Sequence, residues 1–117
     1  MDILATVRSH LVASFGDGVR VSTQNPFDAS GELPLVTIAR GGHGPNQYGI
    51  DHLTLTLRVT ATTETEAYTL ASRVIDSLWA LHRENLNVSH LEMAGFGLLE
   101  STPQRTTYQV TATAVTT

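Results

Sequence analysis

The chain has 117 residues and a mass of 12.6 kDa, with seven arginines, eleven carboxylates, no lysine, no cysteine and a formal charge of −4. Without cysteine it cannot hold a disulfide framework, a Cys-ligated zinc or a thiol nucleophile, and without lysine it lacks Schiff-base chemistry, a P-loop ammonium and a Ser–Lys dyad. The net negative charge, with arginines dispersed at 8, 20, 40, 58, 73, 83 and 105, argues against a nucleic-acid grip, which needs a clustered basic surface.

Residues 2–15 predict an amphipathic helix, because Ile3, Leu4, Val7, Leu11 and Phe15 recur at the 3/4 spacing of one face. His10 falls at the edge of that face. Asp2 suits the dipole at the start, and Gly16-Asp17-Gly18 supplies the stop. A short edge strand is expected at 19–22, followed by a turn-rich loop over 23–32. Residues 33–40 form the next strand, with Pro34 tolerated at its start. Four glycines fall within 41–49, which reads as a mobile hairpin tip able to order on meeting a partner.

The clearest strand is 51–62. Leu53, Leu55, Leu57, Val59 and Ala61 point one way, and Thr54, Thr56, Arg58, Thr60 and Thr62 the other. A second helix over 63–83 opens with the capping-box pair Thr63 and Glu66 and closes on His82 and Arg83. Its stripe runs through Ala67, Leu70, Ala71, Val74, Leu78 and Leu81, and Tyr68, Ile75 and Trp79 widen it beyond what one sheet usually requires. Two strands finish the chain: 86–99, with Gly95 and Gly97 marking a bulge or bend, and 106–115, joined by a turn over 101–105.

The order is α-β-β-β-α-β-β over one domain, 1–117. Two amphipathic helices and a sheet with one apolar face satisfy each other only when both helices pack on that face. The expected fold is an α+β two-layer sandwich with one mostly antiparallel sheet of about four to five strands. The first three strands need only short antiparallel connections. The second helix permits a parallel or mixed crossover to the fourth.

Chemistry is sparse. The glycine-rich segment is followed by a strand, not a helix, so it does not make a phosphate loop. The five histidines at 10, 43, 52, 82 and 90 show no i,i+4 pair. No Gly-x-Ser-x-Gly elbow exists, and Glu64 and Glu66 have a capping explanation. The expectation is a protein that is not an enzyme, with no catalytic, cofactor-binding or metal-ligating residues. No apolar run approaches the ~18–20 residues of a membrane helix, and Met1-Asp2-Ile3-Leu4 is not a signal peptide, so the chain is expected to be soluble and intracellular when made. The threonine-rich sheet face reads either as a solvated face or as a subunit interface. Threonine covers area with little rotamer entropy to lose, and Tyr68 and Trp79 are of the type enriched at interface cores.

These features together resemble a known family. The chain begins Met1-Asp2-Ile3-Leu4 with an immediate helix, then carries the strand Leu33-Pro34-Leu35-Val36-Thr37-Ile38 and a glycine-rich loop. It continues with the alternating strand His52-Leu53-Thr54-Leu55-Thr56-Leu57-Arg58-Val59, the helix from Glu64-Thr65-Glu66-Ala67 through Leu78, and two closing strands. In length and element order this is similar to the tail terminator (tail completion) proteins of long non-contractile-tailed bacteriophages. The all-arginine basic set is compatible with a GC-rich host.

The resemblance implies a hexameric homo-oligomeric ring at the head-proximal end of the virion tail, assembled in the host cytoplasm. The ring would end tail-tube polymerisation and offer a surface for head-tail joining. Its partners would be further copies of itself, the tail tube protein and the head–tail connector, and DNA would pass through without being specifically bound. The candidate interface residues are Arg40, Gly42, His43, Asn46, Gln47, Tyr48, Thr54, Thr56, Arg58, Thr60, Tyr68 and Trp79. Alternatives are another phage connector or neck protein, and a small-molecule-binding α+β domain.

Overall fold

The computed structural model describes residues 3–22, 34–45, 51–84 and 88–116. Helix α1 (Ile3–Phe15) buries Val7 and Leu11 completely and lays Phe15 against the core. It ends at Gly16, whose φ of +68° is the left-handed conformation that only glycine adopts without strain. A single 3₁₀ turn, Gly16–Gly18, leads into strand β1 (Arg20–Ser22).

Strands β2 (Leu35–Pro45) and β3 (Asp51–Ala61) pair antiparallel. The alternation expected of β3 is present: Leu53, Leu55, Leu57, Val59 and Ala61 are all buried on one face. Helix α2 (Glu64–Glu84) begins immediately afterwards. Thr63 caps it, its hydroxyl accepting the Glu66 N–H at 3.2 Å and its carbonyl accepting the Ala67 N–H at 3.0 Å. The Glu66 carboxylate accepts the Thr62 hydroxyl at 3.0 Å. The buried stripe of α2 contains Ala67, Leu70, Ala71, Val74, Leu78 and Leu81, as the 3.6-residue period requires.

Strands β4 (Val88–Ser101) and β5 (Thr106–Thr116) close the chain as a hairpin. Thr102 holds the turn: its N–H donates to the Arg105 carbonyl at 2.7 Å and its hydroxyl accepts the Arg105 N–H at 3.1 Å. The register of β4 shifts between Met93 and Gly95, where the glycines predicted a bulge, and again between Val88 and His90 and between Leu98 and Glu100.

The five strands form one sheet in the order β1-β2-β3-β5-β4. Both helices lie on one side of it, α2 over β3, β5 and β4, and α1 over β1 and β2, which is the expected α+β two-layer arrangement. The helices also meet each other. The Ser77 hydroxyl donates to that of Ser14 at 2.8 Å, and the Arg73 guanidinium sits 4.8 Å above the Phe15 ring. At about 3.3 Å per residue the fourteen residues of β4 make it the longest strand, in a molecule whose longest extent is 48 Å.

Two expectations are corrected. The pairing of β1 with β2 is parallel, not antiparallel: Arg20, Val21 and Ser22 oppose Leu35, Val36 and Thr37. Twelve residues separate Ser22 from Leu35, the length that a parallel connection needs and a hairpin does not. The segment 41–49 does not begin as a loop, because Gly41–Pro45 continue β2, with Gly41 opposite Thr54, Gly42 opposite Leu53 and Pro45 opposite Asp51. Glycine carries no side-chain bias against extended backbone, and β3 offers a long ladder with which the Gly41 and Gly42 peptides pair. The remainder of the predicted tip, and the loop at 23–32, lie outside the described residues.

Leu57 is wholly buried at the centre of β3, so Leu57→Ala should lower unfolding free energy by roughly 2–5 kcal/mol. Thr54→Ala, on the opposite face of the same strand, should cost less than about 1 kcal/mol. Urea melts of the two variants followed by circular dichroism measure the difference, and equal losses would contradict the one-sided core.

Candidate functional site

The helix-free face of the sheet is where the threonines collect. In register across β3 and β5, Thr54 faces Thr113, Thr56 faces Thr111, Arg58 faces Gln109 and Thr60 faces Thr107. The Arg58 Nε–H donates to Gln109 Oε1 at 3.3 Å, and Thr60 and Thr107 share a hydroxyl hydrogen bond of 3.0 Å. The face is not uniformly accessible. Thr60 is 2% exposed, and Thr37, Thr107 and Leu35 beside it are also buried within the chain. Thr60 is therefore withdrawn from the candidate interface, since its hydroxyl is already satisfied inside the fold. Thr54, Thr56 and Arg58 remain half-exposed.

On the opposite face, three aromatic rings meet where the start of α2 crosses the β4–β5 hairpin. Phe96 stacks on Tyr108 with centroids 5.5 Å apart, and Tyr68 meets both edge-on at 5.6 and 5.7 Å. The Tyr108 hydroxyl donates to Glu64 Oε1 at 3.2 Å. Burial, and then the bond to Glu64 and its negative charge, hold the Tyr108 phenol above its ordinary range. Tyr68 and Leu98 are each 52% exposed, Leu99 48% and Phe96 41%. These four side chains make an apolar patch on β4 and the first turns of α2.

Among the described strands β4 is also one of the two edges of the sheet, with β5 on only one side of it. Its outward N–H and C=O groups form a row that no other described strand pairs. Beside it, on the helix-free face, lies a shallow depression of about 170 Å³ lined by Gly95, Gly97, Gln109 and Thr111 among others. A broader one of about 390 Å³ lies between His52 and His90 and is floored by Thr113 and Val115.

No protein-family model matches the chain, and no curated protein matches it in sequence. What the molecule can do therefore has to be read from these surfaces. Among the described residues no group of three or more His, Cys, Asp or Glu side chains is placed to hold a metal ion. No described helix is long and apolar enough to cross a membrane. The titratable side chains are spread out: His82 donates from Nδ1 to the Val88 carbonyl at 3.1 Å, and His90 lies 3.8 Å from the Glu92 carboxylate on its own strand. His10 keeps a buried Nε2 with no hydrogen-bond partner at the edge of the α1 face.

The predicted site residues separate into groups. Thr54, Thr56 and Arg58 share the helix-free face. Arg40 does not join them, because it opposes Leu55 and so belongs to the helix side near the far end of β2, where it is exposed. Gly42 and His43 lie in the backbone of β2, and Asn46, Gln47 and Tyr48 lie outside the described residues. Tyr68 is at the exposed patch. Trp79 is not: it is half-buried, packs on the core and meets His82 at 6.4 Å, so it fills space under the helix. The patch on Phe96, Leu98 and Leu99 escaped sequence reasoning. Its only signal was that the apolar run 96–99 departs from strict alternation, with Leu98 and Leu99 adjacent.

The Tyr108 phenol carries a sign that can be checked. Its proton is held more tightly in the folded chain than in the unfolded one, so its contribution to stability is complete below pH of about 10 and disappears as pH rises through the higher folded value. Thermal melts of the native chain should show the midpoint falling across that range. In Tyr108→Phe this component of the fall should be absent, and an identical alkaline fall in both proteins would remove the phenol as its cause.

Proposed function

We propose that this chain is a structural subunit that assembles with copies of itself into a ring and ends the growth of a phage tail tube at its head-proximal end. The observation that carries the self-assembly part is the open, fourteen-residue edge strand β4 with its exposed Phe96, Leu98 and Leu99. A long edge left open on a small domain, with exposed apolar side chains along part of it, is a template for another chain. The tail-terminator part is supported by the resemblance in the order of helices and strands. The half-exposed threonines of the helix-free face offer a flat, weakly charged second surface, which suits a subunit that meets neighbours on more than one side. A net charge of −4 with scattered arginines fits a ring through which DNA slides without being held.

The mechanism is assembly and needs no chemical step. Each subunit joins the next by a heterologous contact, and the rotation closes. The closed ring then seats on the last turn of the tube and replaces the surface that a further tube subunit would need, while its other rim meets the connector.

Native mass spectrometry over a range of concentrations should reveal a species near 76 kDa, about six times the 12.6 kDa chain. Electron microscopy of tail tubes incubated with the protein should find one end capped and elongation stopped. Tubes that keep growing with the protein in excess would sink the terminator reading, and attachment to connector rings alone would reassign the protein to the neck.

A further inference from the structure

The two lateral edges of the sheet are unequal: β4 has fourteen residues and β1 three. Edge strands in monomers are usually guarded by proline, charged side chains or bulges; β4 has no proline or lysine, and its guards are Glu92, Glu100 and three bulges, which leave 95–98 regular. Between its bulges at 94 and 99, residues 95–98 run in regular register with β5. We infer that the β4 edge docks on the β1 edge of a second copy, so that the sheet runs on from subunit to subunit. The inference rests on the self-assembly part of the proposed function and does not depend on what the ring caps.

Strand direction allows it. β4 opposes β5, β5 opposes β3, β3 opposes β2, and β1 runs with β2, so β1 and β4 point opposite ways. A copy related by rotation about an axis along the strands keeps every direction, and its β1 arrives antiparallel to β4. Charge favours the same pairing. On the helix-free face β4 presents exposed Glu92 and Glu100, opposite Thr113 and Thr107, while β1 presents exposed Arg20 on that same face, opposite Leu35. Opposite charges facing each other across the joined edges would favour this register.

In one register a two-fold contact of β4 with another β4 is disfavoured for the same reason. Centred on Phe96, it sets Glu92 of one copy against Glu100 of the other, and like charges across a strand pair repel. The glycines point outward too. A Cβ at Gly97 would meet nothing within 4 Å, one at Gly95 would meet only the Thr111 Cβ at 3.9 Å, and neither has a left-handed φ. The single subunit does not require glycine at either place. A strip without side chains beside an open edge lets another backbone come close.

The chain contains no native cysteine, so introduced thiols report position directly. Gly97→Cys and Arg20→Cys should be made singly and together, with Glu100→Cys as a second β4 position, and equilibrated in a glutathione redox buffer. The paired variants should give a ladder of covalent multimers on a non-reducing gel, and each single variant should stay uncrosslinked. Reversing Glu92 and Glu100 to arginine should weaken assembly by about tenfold or more. Adding Arg20→Glu to that chain should restore assembly in part, with an unchanged circular dichroism spectrum throughout. Covalent dimers from a β4 single variant would overturn the heterologous pairing in favour of the two-fold one. Rings that form without any ladder would overturn the edge contact and leave the ring. A chain that stays monomeric, with no ladder, overturns it as well, and tube capping by the same preparation then decides the proposed function separately.

Discussion

The apolar stripe of α2 has to lie on the alternating residues of β3 and β5, and the rest of the molecule follows from that contact. Leu55, Leu57, Val59, Val110 and Ala112 form the floor, and Leu70, Ala71, Val74 and Leu78 the cover. Each buried Leu or Val contributes about 1.5–3 kcal/mol relative to exposure, which makes this contact the main apolar burial of the fold. Because α2 is joined to β3 by only Thr62 and Thr63, it must fold straight back over the strand it leaves. The chain then returns in β4, and β5 fills the place between β3 and β4.

That insertion has a consequence for function. It gives β5 two antiparallel neighbours and leaves β4, the longest strand, with one. Helix α2 reaches the aromatic trio of Tyr68, Phe96 and Tyr108 but does not extend over Leu98 and Leu99, which stay about half exposed. The open backbone row and the uncovered side chains therefore coincide on one strand. Over the other end of the same face, α1 is tied to α2 through Ser14, Ser77, Phe15 and Arg73, and β1 with its arginine lies at the edge opposite β4. Two unlike edges on one small domain are the geometry from which a heterologous contact is built.

Local pattern made most of the elements legible. The strict alternation of 53–61, the Thr63 cap and the glycine stop after Phe15 each have a cause within a few residues of themselves, and each is present. The misreadings concern partners distant in sequence. Gly41–Pro45 is poor in side-chain signal, yet it is strand because β3 runs far enough to pair with it. Trp79 widened the stripe of α2 as an interface anchor would, but whether it faces core or solvent depends on how α2 sits on its neighbours. Thr60 alternates with its strand as an outward residue, yet it is buried beside Leu35, Thr37 and Thr107, residues of two other strands that the local pattern does not bring to it.

By itself the sequence determined the helix and strand periods, the single apolar face of β3, the caps and the two-layer α+β class, because those rest on interactions of short range. Only the tertiary structure decided that β1 pairs in parallel, that β5 lies inside β4, and hence that β4 is an edge. Edge status is a property of strand order, and strand order depends on pairings between segments distant in the chain. A strand of the same composition in the middle of the sheet would have been core, so the surface on which assembly depends could not be read from residues 88–101 alone.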